Sequence, residues 1–229
     1  MTYCQRGFTL VEIAIVLVIV GLLLGGVVKG QELIGSARVR TMISQQDGVK
    51  AAFFGFQDRY RGLPGDYAAA DTSINCGATP CLNGNGNGLI ETAATGSVVH
   101  EEILTWSHLT AAGFLNGSYA MANASIAMPD DSNSPKNPYL MYMQLVRDAN
   151  WGPSGNTLSR NNIKTGSLLP VELAAEIDRK IDDGNPYTGT FQFSAYAPAS
   201  TAPDPSTCTA GSNWNISTGE TNCGAASLL

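Results

Sequence analysis

Asn83, Asn85 and Asn87 alternate with glycines in the run Asn83-Gly-Asn-Gly-Asn-Gly-Leu-Ile-Glu91, the alternation with which a loop offers oxygen ligands to a hard cation such as calcium. The candidate ligands are these three carboxamides, the Leu89 carbonyl and the Glu91 carboxylate, with Gly88 for the sharp turn and Ile90 to pin the loop. Negative charge is scarce: no aspartate occupies the first positions, and Ala94 stands where a bidentate glutamate belongs, so Glu91, Glu101 or Glu102 must substitute. Such a loop binds calcium weakly, and a plain Asn-Gly turn is the competing reading. No other cofactor is expected. Asp182-Asp183-Gly184-Asn185 is a second acidic turn. A glycine-capped helix end accounts for it, although two acids at a helix C-terminus oppose the macrodipole and favour a cationic partner.

Catalytic constellations are missing. His100-Glu101-Glu102-Ile103-Leu104 begins like a zinc-protease helix, but leucine stands where the second imidazole belongs. His108 lies eight residues from His100, about 12 Å along a helix, too far for both to hold one ion. The chain has no G-x-S-x-G elbow, no phosphate loop and no dinucleotide fingerprint, so an enzyme is not expected. The formal charge of −6 is uneven. Residues 29–61 hold six Lys/Arg against three Asp/Glu, whereas residues 62–229 hold six against fifteen. An acidic C-terminal region lacks the clustered cations that phosphate backbones require, so no nucleic-acid partner is expected.

Five cysteines are present, with Cys4 close to the N-terminus and Cys76, Cys81, Cys208 and Cys223 in two local pairs. Four cysteines permit three connectivities, and the short spacings favour Cys76–Cys81 and Cys208–Cys223. Disulfides suit an oxidising compartment, while zinc is disfavoured because neither pair has C-x2-C spacing.

These groups are carried by a chain whose N-terminus is its most distinctive part. A short polar leader ending in Arg6-Gly7 meets an apolar run from Phe8 to Val28. Its 21 residues make about 30 Å of helix, the thickness of a bilayer core. No small-residue cleavage site follows the run, so any cut falls before it. One acid, Glu12, interrupts it. A carboxylate near the bilayer centre costs about 2.5–3.5 kcal/mol, so it calls for a partner. Arg6 lies in the leader and Lys29 is 17 residues away, which makes an intermolecular partner the natural one.

Gly7-Phe8-Thr9-Leu10-Val11-Glu12 resembles the type IV prepilin signal of bacterial pilins and of type II secretion pseudopilins. The resemblance is strong over residues 1–60 and covers the remainder only in general layout. It implies that a prepilin peptidase cuts after Gly7 and methylates the new amino terminus on Phe8. It implies also that Glu12 pairs with the Phe8 amino group of a neighbouring subunit, and that an inner-membrane assembly platform draws subunits from lipid into a helical filament of this and other pilin-like chains. The layout it implies is a leader (1–7), a transmembrane and assembly helix (8–28), an amphipathic continuation (29–61) and a periplasmic head (62–229) with a variable loop and a C-terminal disulfide region. The N-terminus would face the cytoplasm, and the assembled subunit would lie in a surface pilus or a periplasmic pseudopilus. A membrane-anchored periplasmic enzyme or binding protein is the rival of another class.

The fold class expected is α+β, with a long N-terminal helix packed on an antiparallel sheet. Val39, Met42, Gln46, Val49, Phe53, Phe56 and Tyr60 step by three and four, an apolar stripe with one polar break. The helix is predicted to end at Gly62-Leu63-Pro64-Gly65, with glycine as its cap. Residues 62–96 read as an extended loop. A second helix is predicted from Ser97 to about Gly113, and a third from Pro170 to Gly184. Tyr139–Arg147 and Thr190–Tyr196 read as strands, and the tail from Ala197 as irregular chain held by its disulfide.

Overall fold

The computed structural model describes residues 9–77, 80–92, 100–120, 128–153, 156–198 and 200–229. The chain divides into two compact units, Met1–Arg40 and Thr41–Leu229. Helix α1, Leu10–Tyr60, supplies residues to both. In the first unit every leucine, isoleucine and valine from Leu10 to Val28 is exposed. A helix that is apolar on every side has no stable place in water and belongs in lipid or among other apolar helices. On length and composition α1 is able to cross a membrane.

The second unit is α+β. On the last turns of α1 the stripe Met42, Gln46, Val49, Phe53 and Phe56 is buried, as its spacing requires. Val49, Phe53 and Phe56 join Trp106 and Leu109 of α3 (Glu101–Ala111), Met143, and Leu145 and Ile163 of the sheet in one core. The polar break Gln46 is fully buried, and among the described residues neither of its side-chain polar atoms has a hydrogen-bond partner. The end of α1 differs from expectation. Arg61, not Gly62, takes the left-handed conformation (φ +55°), and its N–H donates to the Gln57 carbonyl at 2.9 Å. Gly62 serves close packing instead: a Cβ there would sit 2.7 Å from the Tyr67 ring. After α1 come the single turn α2 (Ala70–Ser73) and then α3. Ser97 and Val99, the predicted start of the second helix, lie outside the described residues.

Four antiparallel strands follow the order β1-β2-β6-β3, with β1 at Gln144–Asp148, β2 at Arg160–Lys164, β3 at Phe191–Phe193 and β6 at Ala225–Leu228. Helix α4 (Val171–Ile181) connects β2 to β3, with Pro170 at its N-cap position and Gly184 (φ +79°) past its end. β1 begins later than Tyr139, because Asn137 Oδ1 accepts the N–H groups of Tyr139 and Met141 and Leu140 turns left-handed (φ +64°).

The tail is the main correction. It is not loosely held: β6 is an interior strand, pairing Ser227 with Ile163 on one side and with Phe191 on the other. Gly224 makes this possible, since a Cβ there would stand 2.7 Å from the Ser194 carbonyl and 2.9 Å from that of Gly166. Before it, α5 (Pro205–Cys208) leads into a small hairpin of β4 (Thr209–Ala210) and β5 (Asn213–Trp214).

Candidate functional site

The N-terminal segment is built around Thr9 and Glu12. The Thr9 N–H and hydroxyl both donate to Glu12 Oε2 at 2.8 Å, and the Glu12 N–H donates back to Thr9 Oγ1 at 3.2 Å. This is a capping box, in which a helix start and an acid one turn later satisfy each other's polar groups. Among the described residues Glu12 Oε1 takes no hydrogen bond, so one carboxylate oxygen remains for a donor from outside the helix. The sequence signal for it is Thr9-x-x-Glu12 directly before an apolar run. Gly7 and Phe8, the predicted processing residues, lie outside the described residues.

In the head, the Asn-Gly loop is organised from inside by two acids. Asp66 accepts the Asn87 N–H on Oδ1 and the Gly88 N–H on Oδ2, each at 2.9 Å. Glu101, in the first turn of α3, accepts the Asn85 N–H at 2.9 Å and the Glu91 N–H at 3.2 Å. Both acids are buried, and burial pushes the Glu101 carboxyl up to about 7 and that of Asp66 upward. The five predicted ligand residues are each engaged locally. Asn83 Oδ1 accepts from the Asp71 N–H, Asn85 Oδ1 from Asn87 and Asn87 Oδ1 from Leu89, while Glu91 Oε2 accepts from the Asn87 amide. Leu89 contributes its N–H to that chain of turns. The loop thus wraps carboxylates with N–H groups.

His108 and Glu102 occupy buried positions on α3. Nδ1 of His108 accepts the Gly65 N–H at 3.0 Å, and Nε2 lies 2.8 Å from the Leu82 carbonyl. A carbonyl only accepts, so the proton sits on Nε2 and the ring is neutral. Burial holds its pKa down at about 4, partly offset by the Leu82 carbonyl. The ring staples the segment after α1 to the loop that precedes the Asn-Gly run. At the start of α3, His100 Nδ1 lies 3.2 Å from Glu102 Oε1, while Glu102 Oε2 is buried without a partner among the described residues. Burial pushes the Glu102 carboxyl up to about 8.

The cysteines pair as their spacing favours, Cys76 with Cys81 and Cys208 with Cys223. The acidic turn after α4 brings one carboxylate oxygen each of Asp178, Asp182 and Asp183 within 4.8 Å of one another. Its acids are spent on the chain. Asp178 accepts from Trp214 Nε1 at 2.7 Å and from the Gly184 N–H at 3.2 Å; Asp182 takes the N–H groups of Thr190 and Phe191 where β3 starts. Burial pushes Asp178 up to about 6.

Residues 3–28 match the family described as the prokaryotic N-terminal methylation motif. No curated protein and no solved structure matches the chain. The matched segment contains the capping box and the apolar turns of α1 from Ile13 to Val28, and it is followed by a four-stranded antiparallel head of pilin-like architecture. The chain therefore carries the signal of the type IV prepilins and pseudopilins.

Proposed function

We propose that the protein is a structural, non-enzymatic subunit of a type IV pilus-like filament, made as a prepilin, cleaved after Gly7 and N-methylated on Phe8. The observation that carries this reading is the methylation motif on residues 3–28, laid over a helix whose apolar side chains are exposed from Leu10 to Val28. That surface finds its solvent first in the inner membrane and then among the same helices of neighbouring subunits. Glu12 sets register. Its Oε2 is held by Thr9, and its second oxygen receives the Phe8 ammonium of an adjacent chain, a charge-assisted bond strengthened by the low dielectric around it. Processing by a prepilin peptidase on the cytoplasmic side, with the head periplasmic, is part of the same proposal.

The testing experiment is N-terminal sequencing and intact-mass analysis of protein recovered from sheared cell-surface material. A chain starting at methylated Phe8 is expected. A chain starting at Met1, or a processed chain that never leaves the membrane as a polymer, overturns the proposal. Recovery of the filament only inside the periplasm, in dependence on a secretion system, assigns the subunit to the pseudopilins.

A further inference from the structure

The start of α3, the edge of β1 and the segment after β3 enclose a pocket of about 400 Å³. Its walls are largely apolar or aromatic, with Ile103, Trp106, Met143 and Tyr196 among them, and its acid is Glu102. Glu102 is 6% exposed, His100 lies against its Oε1, and among the described residues its Oε2 meets no donor. A buried carboxylate oxygen left unpaired costs the full desolvation of that group unless something supplies an N–H.

We propose that this pocket binds a small organic cation, a primary ammonium on an apolar or aromatic body, with Glu102 Oε2 as the acceptor. The site lies wholly within the unit Thr41–Leu229. Three features select that chemistry. Glu102 is the single carboxylate among the described lining residues, too little negative charge for a calcium ion, which favours a singly charged occupant. The aromatic residues Trp106 and Tyr196 favour a cation with a low hydration cost. The volume falls in the range of small-molecule sites with few convergent polar groups. Burial holds the carboxyl of the unliganded site mostly protonated at neutral pH, so binding the ammonium releases that proton to solvent and leaves the carboxylate paired with the ligand's charge.

The test uses the full chain in a zwitterionic detergent, with 13C-methyl methionine, titrated with phenethylammonium and, separately, with its neutral analogue 2-phenylethanol. The Met143 methyl lines the pocket, whereas Met42 lies in the α1 stripe and serves as the internal control. Saturable movement of Met143 and not of Met42 is expected, with the amine binding at least about tenfold more tightly than the alcohol, the scale of one charge-assisted hydrogen bond. Glu102→Gln is expected to remove that preference. Equal affinity for amine and alcohol, no movement of Met143, or an unchanged amine affinity in Glu102→Gln would each overturn the proposal. The wild-type comparison of amine with alcohol decides the question even if the variant folds poorly.

Discussion

Thr9 and Glu12 close on each other: two donors of Thr9 converge on one oxygen of Glu12, and Glu12 returns its own N–H. The acid of the apolar helix is thereby half-solvated before any second chain arrives. Glu12 accordingly has two tasks, fixing the helix start and meeting the neighbour's amine, and the two separate by substitution. Glu12→Ala is expected to leave leader removal intact and to abolish recovery of the subunit in sheared filaments. Thr9→Val removes the hydroxyl but not the acid, costing roughly 1 kcal/mol at the helix start, and is expected to lower filament recovery only several-fold, while Thr9→Ser behaves as wild type. Immunoblots of sheared and membrane fractions measure both. Equal loss in Thr9→Val and Glu12→Ala would remove the separation.

Acid should loosen the head through His108. Its folded pKa of about 4 lies below the unfolded value near 6.5, so between these limits the unfolded chain takes up a proton that the folded chain refuses. Stability from this group is whole above pH 6.5 and falls as the pH drops, by on the order of 3 kcal/mol once pH 4 is passed. Glu101, Glu102 and Asp178, whose carboxyls burial pushes up, act in the opposite direction, so the contribution of His108 is read as a difference. In urea unfolding at pH 7, 5.5 and 4.5, wild type should lose stability relative to His108→Gln, which keeps a donor for the Leu82 carbonyl. An unchanged pH slope in the variant would mean that other groups carry the acid sensitivity.

Glu102 acts in the opposite direction. Its folded pKa is raised to about 8 from an ordinary 4.5, so stability falls as the pH rises through that window, because ionisation is easy in the unfolded chain and hard in the buried site. Glu102→Gln is expected to match wild type near pH 4.5 and to exceed it at pH 8. Thermal melts at the two values check this, and a variant less stable than wild type at pH 8 would contradict it.

How much of this was legible in the sequence depends on which force does the work. Local chemistry was readable: the apolar run, the stripe from Met42 to Phe56 and the cysteine spacings all follow from period, length and chain entropy. Long-range polar satisfaction was not. β2 was missed because Arg160-Asn-Asn-Ile-Lys164 looks like surface, yet Asn162 and Lys164 are buried by sharing Asp148 across the sheet. β6 was missed because Ala225-Ala-Ser-Leu228 has no alternation; its place comes from strands on both sides. The Asn-Gly run suggested oxygens turned inward, whereas Asp66 and Glu101, 21 and 16 residues from their partners Asn87 and Asn85, turn the N–H groups inward instead.

Gln46 is an opportunity for stabilisation. It is fully buried in the middle of the α1 stripe, and neither polar atom of its amide is hydrogen-bonded among the described residues. Replacing an unsatisfied polar group by an apolar one of similar size returns the desolvation cost, typically about 1–3 kcal/mol. Gln46→Leu is expected to raise the urea midpoint of the full chain without altering leader removal. A lowered urea midpoint in Gln46→Leu would contradict this.

The Cys208–Cys223 bridge should matter more than Cys76–Cys81, because of what each loop precedes. A cross-link spanning 15 residues is worth about 3 kcal/mol in the chain-entropy model, against about 2 kcal/mol for one spanning 5. The longer loop also delivers β6. Cys223 pairs with Leu169 in a backbone bridge, Gly224 follows, and the next four residues are the strand that joins β2 to β3. Losing the bridge therefore lengthens the search for an interior strand, whereas the shorter disulfide closes a loop outside the sheet. Cys208→Ser/Cys223→Ser is expected to lose amide protection along β6 and at Ile163 and Phe191, its partners in the sheet, while Cys76→Ser/Cys81→Ser keeps that protection. Hydrogen exchange on both double variants measures the difference. Equal protection of β6 in the two would show that the sheet holds its last strand without the staple.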